Sequence, residues 1–474
     1  MQEEVVAFLS TPGTLGLTGS FLERIDTHIS IVWLAGDRAF KLKRAVRFDY
    51  VDFSTVELRR VACEAEVRLN RRTAPSLYLG VRPITRGRDG TLAIGGPGEP
   101  IDWLVEMRRF DQETLFDRLA DRGRLDIALM PRLALTIATL HASARMRGDR
   151  GGRAGMTWVA NGNAQGLLEF GKDVVDPVAC SVLAAETRAA LCRHGRRLDT
   201  RCRAGLVREC HGDLHLRNIC LIDGAPTLFD GVEFNDDISC VDVLYDLAFL
   251  LMDLWRRDLP AHANAVFNEY IQQTMDVDAL CLMPLFLSCR AAVRAKTSMT
   301  AAGMQRDAGT RRELGAAARQ YLVLADAFLH PPRARLIAIG GFSGSGKSTL
   351  ARGLAPGIGA APGAFIVRSD VIRKSLMGVA PLARLDTEGY QPEITHRVYK
   401  GLMARTLAAL RAGHSVVADA VFARPEDREA IAGAAREAGV PFLGLWLDGP
   451  RAVLQRRIAE RVRDVSDATA AALD

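Results

Sequence analysis

Two groups of residues in this chain have the types and spacing to handle a phosphate, and each would do so by different chemistry. In RLIAIGGFSGSGKSTL, Arg335 to Leu350, an apolar run leads straight into Gly341-x4-Gly346-Lys347-Ser348 and then a helical pattern. Glycines at that spacing let backbone N–H groups turn inward around a β-phosphate at a helix N-terminus, where the dipole favours negative charge. Ser343, Gly344, Ser345 and Thr349 complete the loop, Lys347 would reach the β/γ oxygens, and Ser348 would ligate Mg2+. The pattern predicts an ATP site.

The other group is HGDLHLRN, His211 to Asn218, followed after an apolar stretch by Asp230 in TLFDGVEFN. H-x-D-x4-N with a downstream acid offers one carboxylate, Asp213, to orient and deprotonate an acceptor hydroxyl. Asn218 and Asp230 would hold Mg2+. That set is the equipment of a protein-kinase-like phosphotransferase. The plainer alternative is a polar loop beside a buried strand, with His211 and Asp213 satisfying backbone donors. His211 is expected to support the loop by hydrogen bonds, and Glu233 either assists the metal or forms an ordinary salt bridge.

The 474 residues exceed what one core usually organises, so at least two domains must position these motifs. Composition is that of a globular protein, with no apolar run of about 18 residues that would span a membrane. The opening MQEEVVAFLS is acidic and lacks the basic start of a secretory signal. A cytoplasmic protein is expected. The nine cysteines form no C-x-x-C pair, which suggests reduced thiols rather than disulfides or a zinc site. The net charge is +6, but the arginines are spread among acids rather than gathered in a stripe, so nucleic acid is not an expected partner. Of the seven lysines, Lys41, Lys43 and Lys347 fall where a phosphate-binding lysine is needed.

A break falls at FLHPPRAR, Phe328 to Arg335, where two prolines end a helical pattern. It predicts one domain over residues 1–330 and another over 335–474. In the first, alternating apolar residues between 21 and 48, interrupted at Ala35-Gly36-Asp37, predict a hairpin. An amphipathic helix follows over Val56–Arg72, then strands near Tyr78–Arg82 and Trp103–Met107. From Thr114 the pattern is helical apart from 211–234. A strand-rich lobe (about 20–107) and a helical lobe (about 108–330) are implied. In the second domain, strands at 335–340, 365–369, 415–418 and 442–447 alternate with helices, which predicts a parallel sheet covered on both faces.

Residues 20–325 resemble the aminoglycoside-phosphotransferase family of small-molecule kinases, which share the protein-kinase fold. The matching pieces are AFKLK with Lys41, the Glu64-containing helix, VEMRRF with Met107 at the interlobe junction, Leu140-His141-Ala142, HGDLHLRN, LFDGVEF and DVLYDLAFLL. The resemblance implies an α+β bilobal fold in which Lys41 grips the α/β-phosphates and Glu64 pins Lys41, with Met107 beside the nucleotide. Lys43 and Glu66 are the alternatives, and one of each pair is expected to be a solvated surface charge. Asp242 and Asp246 are expected to be structural. No G-x-G-x-x-G loop is present; the turn Thr27-His28-Ile29-Ser30 stands in its place, its hydroxyls and amides available to phosphates. No activation segment is visible either, so a small hydroxylated acceptor is expected rather than a protein.

Residues 335–474 resemble P-loop small-molecule kinases related to gluconate kinase, with a looser similarity to zeta-toxin and chloramphenicol phosphotransferases. Asp370, at the carboxyl end of a strand, is placed to take the acceptor proton or to cap the next helix, and Arg373 to hold an anionic group. Asp419, ending SVVAD, is placed as a Walker B acid for Mg2+. Arg461 and Arg463 resemble the arginines of a mobile lid. Seven residues follow Asp467, where the resembled family would add a helix and a strand. Either little follows the lid or the chain is shortened.

Taken together, the sequence predicts an ATP- and Mg2+-dependent phosphotransferase for small hydroxylated metabolites with two kinase-like sites. One catalytic domain governed by a nucleotide-sensing P-loop module, or an antibiotic-modifying enzyme, are the alternatives. Neither the acceptor nor the oligomeric state is legible.

Overall fold

The computed structural model describes residues 2–16, 22–48, 50–171, 174–380 and 383–459. The chain divides into two compact units, residues 1–158 with 195–250, and residues 159–194 with 251–474.

The first unit is built on a six-stranded antiparallel sheet. Its strands are β1 (Glu23–Asp26), β2 (Ser30–Ala35), β3 (Arg38–Lys43), β6 (Tyr78–Arg86), β7 (Leu92–Ile94) and β8 (Glu99–Arg108), in the order β1-β2-β3-β8-β6-β7. The expected hairpin is β2–β3, turning at Gly36 with Ala35 opposite Arg38. Strand periodicity of two decides what each face does. Phe40 and Leu42 of β3 join Trp33, Ile31, Leu104 and helix α1 (Gln2–Leu9) in one apolar cluster. Lys41 and Lys43 therefore point to the opposite face, where helix α2 (Val56–Asn70) packs. A two-residue ladder, β4 (Arg47–Phe48) with β5 (Val51–Asp52), precedes α2.

Helix α2 begins at Thr55, whose hydroxyl accepts a hydrogen bond from the Leu58 amide at 3.2 Å. Its buried residues include Arg59, Ala62, Cys63, Glu66, Val67 and Asn70, spaced as one helical stripe.

Helices α3 (Phe116–Asp121), α4 (Met130–Ser143), α5 (Gly152–Phe170) and α6 (Pro177–Arg203) follow. Two small ladders then frame the HGDLHLRN loop: β9 (Val207–Glu209) with β12 (Cys240–Asp242), and the hairpin β10 (Ile219–Ile222) with β11 (Ala225–Leu228). Helix α7 (Asp236–Ser239) precedes β12, and α8 (Val243–Arg256) follows it.

The second unit contains helices α9 (Pro260–Thr274), α10 (Met283–Met304) and α11 (Ala308–Leu329), and a four-stranded parallel sheet. The strands β13 (Leu336–Gly341), β14 (Phe365–Arg368), β15 (Val416–Asp419) and β16 (Phe442–Leu447) lie in the order β14-β15-β13-β16. Helices α12 (Lys347–Leu354), α13 (Ser369–Leu376), α14 (Pro392–Arg411), α15 (Pro425–Ala438) and α16 (Arg451–Ala459) connect or follow them. Every residue of β13 is buried, as expected for a parallel strand covered on both faces.

Strand β14 is an edge, and a buried edge must find partners for its backbone. Helix α9 supplies them. Asn268 Oδ1 accepts the Ile366 amide at 2.6 Å, while Asn268 Nδ2 and Asn264 Nδ2 donate to the Ala364 carbonyl at 3.1 and 3.0 Å. Phe267 packs edge-on to Phe365 between them. Among the described residues, no helix is long and apolar enough to cross a membrane.

Candidate active sites

On the lysine face of the first sheet, five charges alternate in sign: Asp230, Lys41, Glu66, Lys43 and Glu233. Glu66 Oε1 accepts from Lys41 Nζ at 2.8 Å and Glu66 Oε2 from Lys43 Nζ at 2.6 Å. Lys41 also reaches Asp230 Oδ1 at 2.6 Å, and Lys43 donates to Glu233. Glu66 and Lys43 are fully enclosed. Such burial is tolerable only because each charge meets an opposite one.

The electrostatics follow from how many partners each group has. Burial would raise the Glu66 carboxyl, but two ammonium groups outweigh it and bring its pKa down to about 2. Glu233 faces one ammonium, and there burial prevails and the pKa is raised. Burial opposes the charge on Lys41, yet Asp230 and Glu66 hold its pKa well above the ordinary value.

This arrangement corrects two expectations. Glu64 lies on the solvent side of α2 and pairs with Arg60 at 2.7 Å, so Glu66, on the buried stripe, is the residue that meets Lys41. Neither lysine is a surface charge: Lys43 is more deeply buried than Lys41, and is tied to Glu66 and Glu233.

The carboxylate loop is fixed by backbone contacts. Asp246 of α8 accepts the His211 amide at 3.2 Å, the Gly212 amide at 2.8 Å and His141 Nε2 at 3.1 Å. Asp242 is locked by Arg201 at 2.7 Å. Both acids are structural, as expected. His211 is kept below its ordinary pKa by burial, which outweighs the nearby Asp246. Its Nε2 lies 2.9 Å from the Phe229 carbonyl, and its Nδ1 accepts the Asp213 amide, a supporting role. Asp213 remains 39% exposed, with His215 Nε2 at 3.2 Å from its Oδ2. Asn218 directs its amide N–H groups to Asp213, at 2.9 Å to the carbonyl and 3.1 Å to Oδ2. This leaves the Asn218 side-chain oxygen as the atom a cation would meet.

Asp230 adopts φ +59°, unusual for a residue with a Cβ. The conformation is held from three sides: the Asp230 amide donates to Tyr78 Oη at 3.1 Å, the Gly231 amide to Asn70 Oδ1 at 2.8 Å, and the Val232 amide to the His211 carbonyl at 2.8 Å. Asn218 and Asp230 offer oxygen donors of the kind a hard divalent cation takes. Met107, on β8 opposite Ala39 and Tyr78, packs against the cluster of Cys63, Val67 and Val105. In the turn before β2, Thr27 Oγ1 is engaged by the Ser30 amide at 2.9 Å and so closes the turn. Among the described residues, the Ser30 hydroxyl itself is buried without a partner.

The second site assembles at the carboxyl ends of β13, β14 and β15. Gly341, Gly344 and Gly346 have φ of +138°, +84° and +94°. A Cβ at Gly341 would lie 2.3 Å from the Leu447 carbonyl oxygen, so only glycine fits there. Among the described residues, a Cβ added at Gly346 would meet nothing nearer than Arg457 Nη1 at 4.0 Å, so their part of the loop is open in front of the α12 N-terminus. Among the described residues, the Ser345 hydroxyl is buried without a hydrogen-bond partner. An open, donor-lined loop and an unpaired buried hydroxyl fit a bound phosphate.

Lys347 Nζ donates to the Phe342 carbonyl at 2.9 Å, and Thr349 is exposed on α12. Ser343 lies partly buried in the same loop. Ser348 Oγ donates to Asp419 Oδ2 at 2.6 Å, bringing together a hydroxyl and a carboxylate as a hard cation requires. Arg368 bridges the same two groups, at 3.0 Å to Ser348 Oγ and 3.3 Å to Asp419 Oδ2.

Asp370 sits in the first turn of α13, and Arg368 rather than Asp370 occupies the N-cap position. Arg373 departs from expectation. It is buried, its Nη1 donates to the Gly389 carbonyl at 2.7 Å and to Thr395 Oγ1 at 3.1 Å, and its guanidinium covers the Tyr390 ring. It holds the segment after α13 rather than facing outward to an anion. Arg461 lies outside the described residues, as does Arg463.

Sequence reasoning passed over Arg368 and Arg457. The register that places Arg368 beside Asp419 is a strand pairing across 51 residues, which no local pattern displays. Arg457 precedes the lid-like Arg461 and Arg463 by a few residues, but its nearness to Gly346 depends on where α16 packs.

These features define a kinase-like α+β domain, with its lysine, glutamate and carboxylate loop, followed by a P-loop α/β nucleotide-binding domain. Residues 336–474 match the family model described as AAA domain. The chain is 30% identical over 462 residues, 95% of its length and 88% of the relative's, to the uncharacterized protein Rv2004c of Mycobacterium tuberculosis, and it belongs to that protein's family. Among solved structures it is similar to a choline/ethanolamine kinase family protein from Mesorhizobium loti, with 14% identity and a TM-score of 0.43 over 69% of this chain and 94% of that one. A thermostable mutant of aminoglycoside phosphotransferase APH(4)-Ia is similar at 13% identity and a TM-score of 0.41, over 66% of this chain and 94% of the other.

Proposed function

We propose that the chain is an ATP-dependent phosphotransferase acting on hydroxyl groups of small metabolites, with a kinase-like site in each domain. The observation that carries this reading is the run of alternating charges from Asp230 to Glu233, enclosed at Glu66, Lys43 and Glu233 and open at Asp230, set beside an Asp213 that stays accessible. Lys41 would hold the α/β-phosphates once Asp230 turns toward a metal. Glu66, held by Lys43 from its other oxygen, would keep the Lys41 ammonium in place. Asp213 would orient the acceptor hydroxyl and receive its proton, while His215 and Asn218 fix the carboxylate. Asn218 and Asp230 would hold Mg2+, which when bound neutralises phosphate charge. Phosphoryl transfer asks mainly for such positioning and charge stabilisation.

In the second domain the loop amides, Ser345 and Lys347 would bind the phosphates, and Ser348 with Asp419 would hold the metal. Asp370 is the candidate base. The inward turn of Arg373 favours a second reading, in which this domain binds nucleotide and governs the first without transferring phosphate itself.

Label transfer from γ-32P-ATP into a desalted metabolite extract separates these readings, using the intact chain, Asp213→Ala and Lys347→Ala. Loss of a different product in each variant supports two kinases. If only Asp213→Ala matters, the second domain is regulatory. No labelled small molecule with any form would overturn the phosphotransferase reading.

A further inference from the structure

Arg368 ends β14 directly opposite Asp419 of β15, so the parallel register delivers its side chain to the metal-type pair at the P-loop. The guanidinium is 12% exposed and its carboxylate partner 5%. Nη2 is 3.0 Å from Ser348 Oγ, Nε is 3.3 Å from Asp419 Oδ2, and the same Oδ2 accepts the Ser348 hydroxyl at 2.6 Å. All three groups converge at the first turn of α12. A cation there opposes the positive end of the helix dipole. Asp419 offsets that cost, and an arriving phosphate would offset it further. Unlike a lysine or histidine, arginine cannot discharge to relieve the conflict. This positive charge is therefore permanent, and it stands on the oxygen atoms a divalent ion would use.

We propose that Arg368 is a built-in cation of the P-loop site, which supplies positive charge to a bound nucleotide and competes with Mg2+ for Ser348 and Asp419. The inference rests on the reading of this loop as a nucleotide site. Nucleotide binding here is consequently only weakly dependent on metal. Removing the guanidinium converts the site to one in which Ser348 and Asp419 are vacant for Mg2+ and binding depends strongly on it.

The test is fluorescence titration of the full chain with mant-ADP, in Mg2+ and in EDTA, subtracting the signal that survives in Lys347→Ala. Wild type is expected to change affinity by less than about fivefold on chelation. Arg368→Met is expected to lose at least about tenfold more than wild type does. Arg368→Lys, which keeps the charge, is expected to behave like wild type and is the control, while Arg368→Gln, which removes it, repeats the test if the methionine variant melts early. Metal dependence that is equal in wild type and Arg368→Met, or steep already in wild type, overturns the proposal. Absence of any Lys347-dependent binding overturns instead the nucleotide reading beneath it, and the proposal with it.

Discussion

The two proposed phosphate sites solve one electrostatic problem in opposite ways. The first holds its lysine with side chains: Lys41 and Lys43 are each flanked by carboxylates, and the positive charge is balanced inside the protein. The second relies on backbone, with three glycines at positive φ and a helix N-terminus, and adds Arg368. A site built from side-chain ion pairs is sensitive to removal of any one charge, because its neighbours are left buried and unpaired. A site built from loop amides depends instead on chain conformation, and its side chains can be altered with less damage to the fold.

The comparison is broken most severely at Asp213, the carboxylate proposed as the base. Asp213→Asn, which keeps shape but cannot take a proton, is expected to lower kcat of the first-domain product by about 10²- to 10⁴-fold. Mant-ADP binding at Lys347 should be unchanged. A steady-state assay that finds less than a tenfold loss would remove Asp213 from the base role.

Next in size is the ion-pair run. Glu66→Gln leaves two enclosed ammonium groups short of a counter-charge and is expected to cost about 3–5 kcal/mol. Glu64→Gln, on the solvent face, should stay within about 0.5 kcal/mol. Calorimetry of the pair measures the difference directly, and equal effects would contradict the assigned helix phase.

A pH experiment sharpens the contrast for the second unit. His414 is buried, with Nε2 2.8 Å from the Gly363 carbonyl, and burial lowers its pKa from 6.5 to about 4. A depressed folded-state pKa means that its contribution is complete above 6.5 and is lost as the pH falls toward 4. The loss amounts to about 3 kcal/mol. His414→Gln should flatten the melting-temperature profile in that window; an unchanged slope would assign the acid sensitivity elsewhere. Glu66 behaves differently. Its stabilisation is complete above the ordinary carboxyl value of 4.5 and is lost only as the pH falls toward about 2. The two units should therefore lose stability in separate pH ranges.

The smallest effect concerns the edge of the parallel sheet. Asn268→Ala removes the acceptor for the Ile366 amide and is expected to cost about 1–3 kcal/mol. Hydrogen exchange at Ile366 should accelerate, and retained protection would show that the edge has another partner.

Much of the architecture was legible from residue patterns. The β2–β3 hairpin, the β13 strand running into its glycine loop, and the alternation of strands and helices after Phe328 all match the expected elements. Even the phase of α2 was available in principle, since Ala62, Cys63 and Val67 mark a buried stripe that contains position 66 and omits 64. What hid it was the helix's three buried polar or charged residues, Arg59, Glu66 and Asn70, which blur a stripe read by hydrophobicity. Arg373 was misread for another reason: Gly389, Tyr390 and Thr395, which enclose it, come from a later turn and the next helix.

The sequence by itself determined the local chemistry, because loop glycines, a lysine after them and an H-x-D-x4-N spacing are short-range requirements of backbone shape and reach. Only the tertiary structure decided which charges meet. Lys43 with Glu233, Arg368 with Asp419, and Asn268 with Ile366 are separated by 190, 51 and 98 residues. A charge is buried, exposed or shared according to packing between elements, and that packing is set by the whole chain rather than by any one segment.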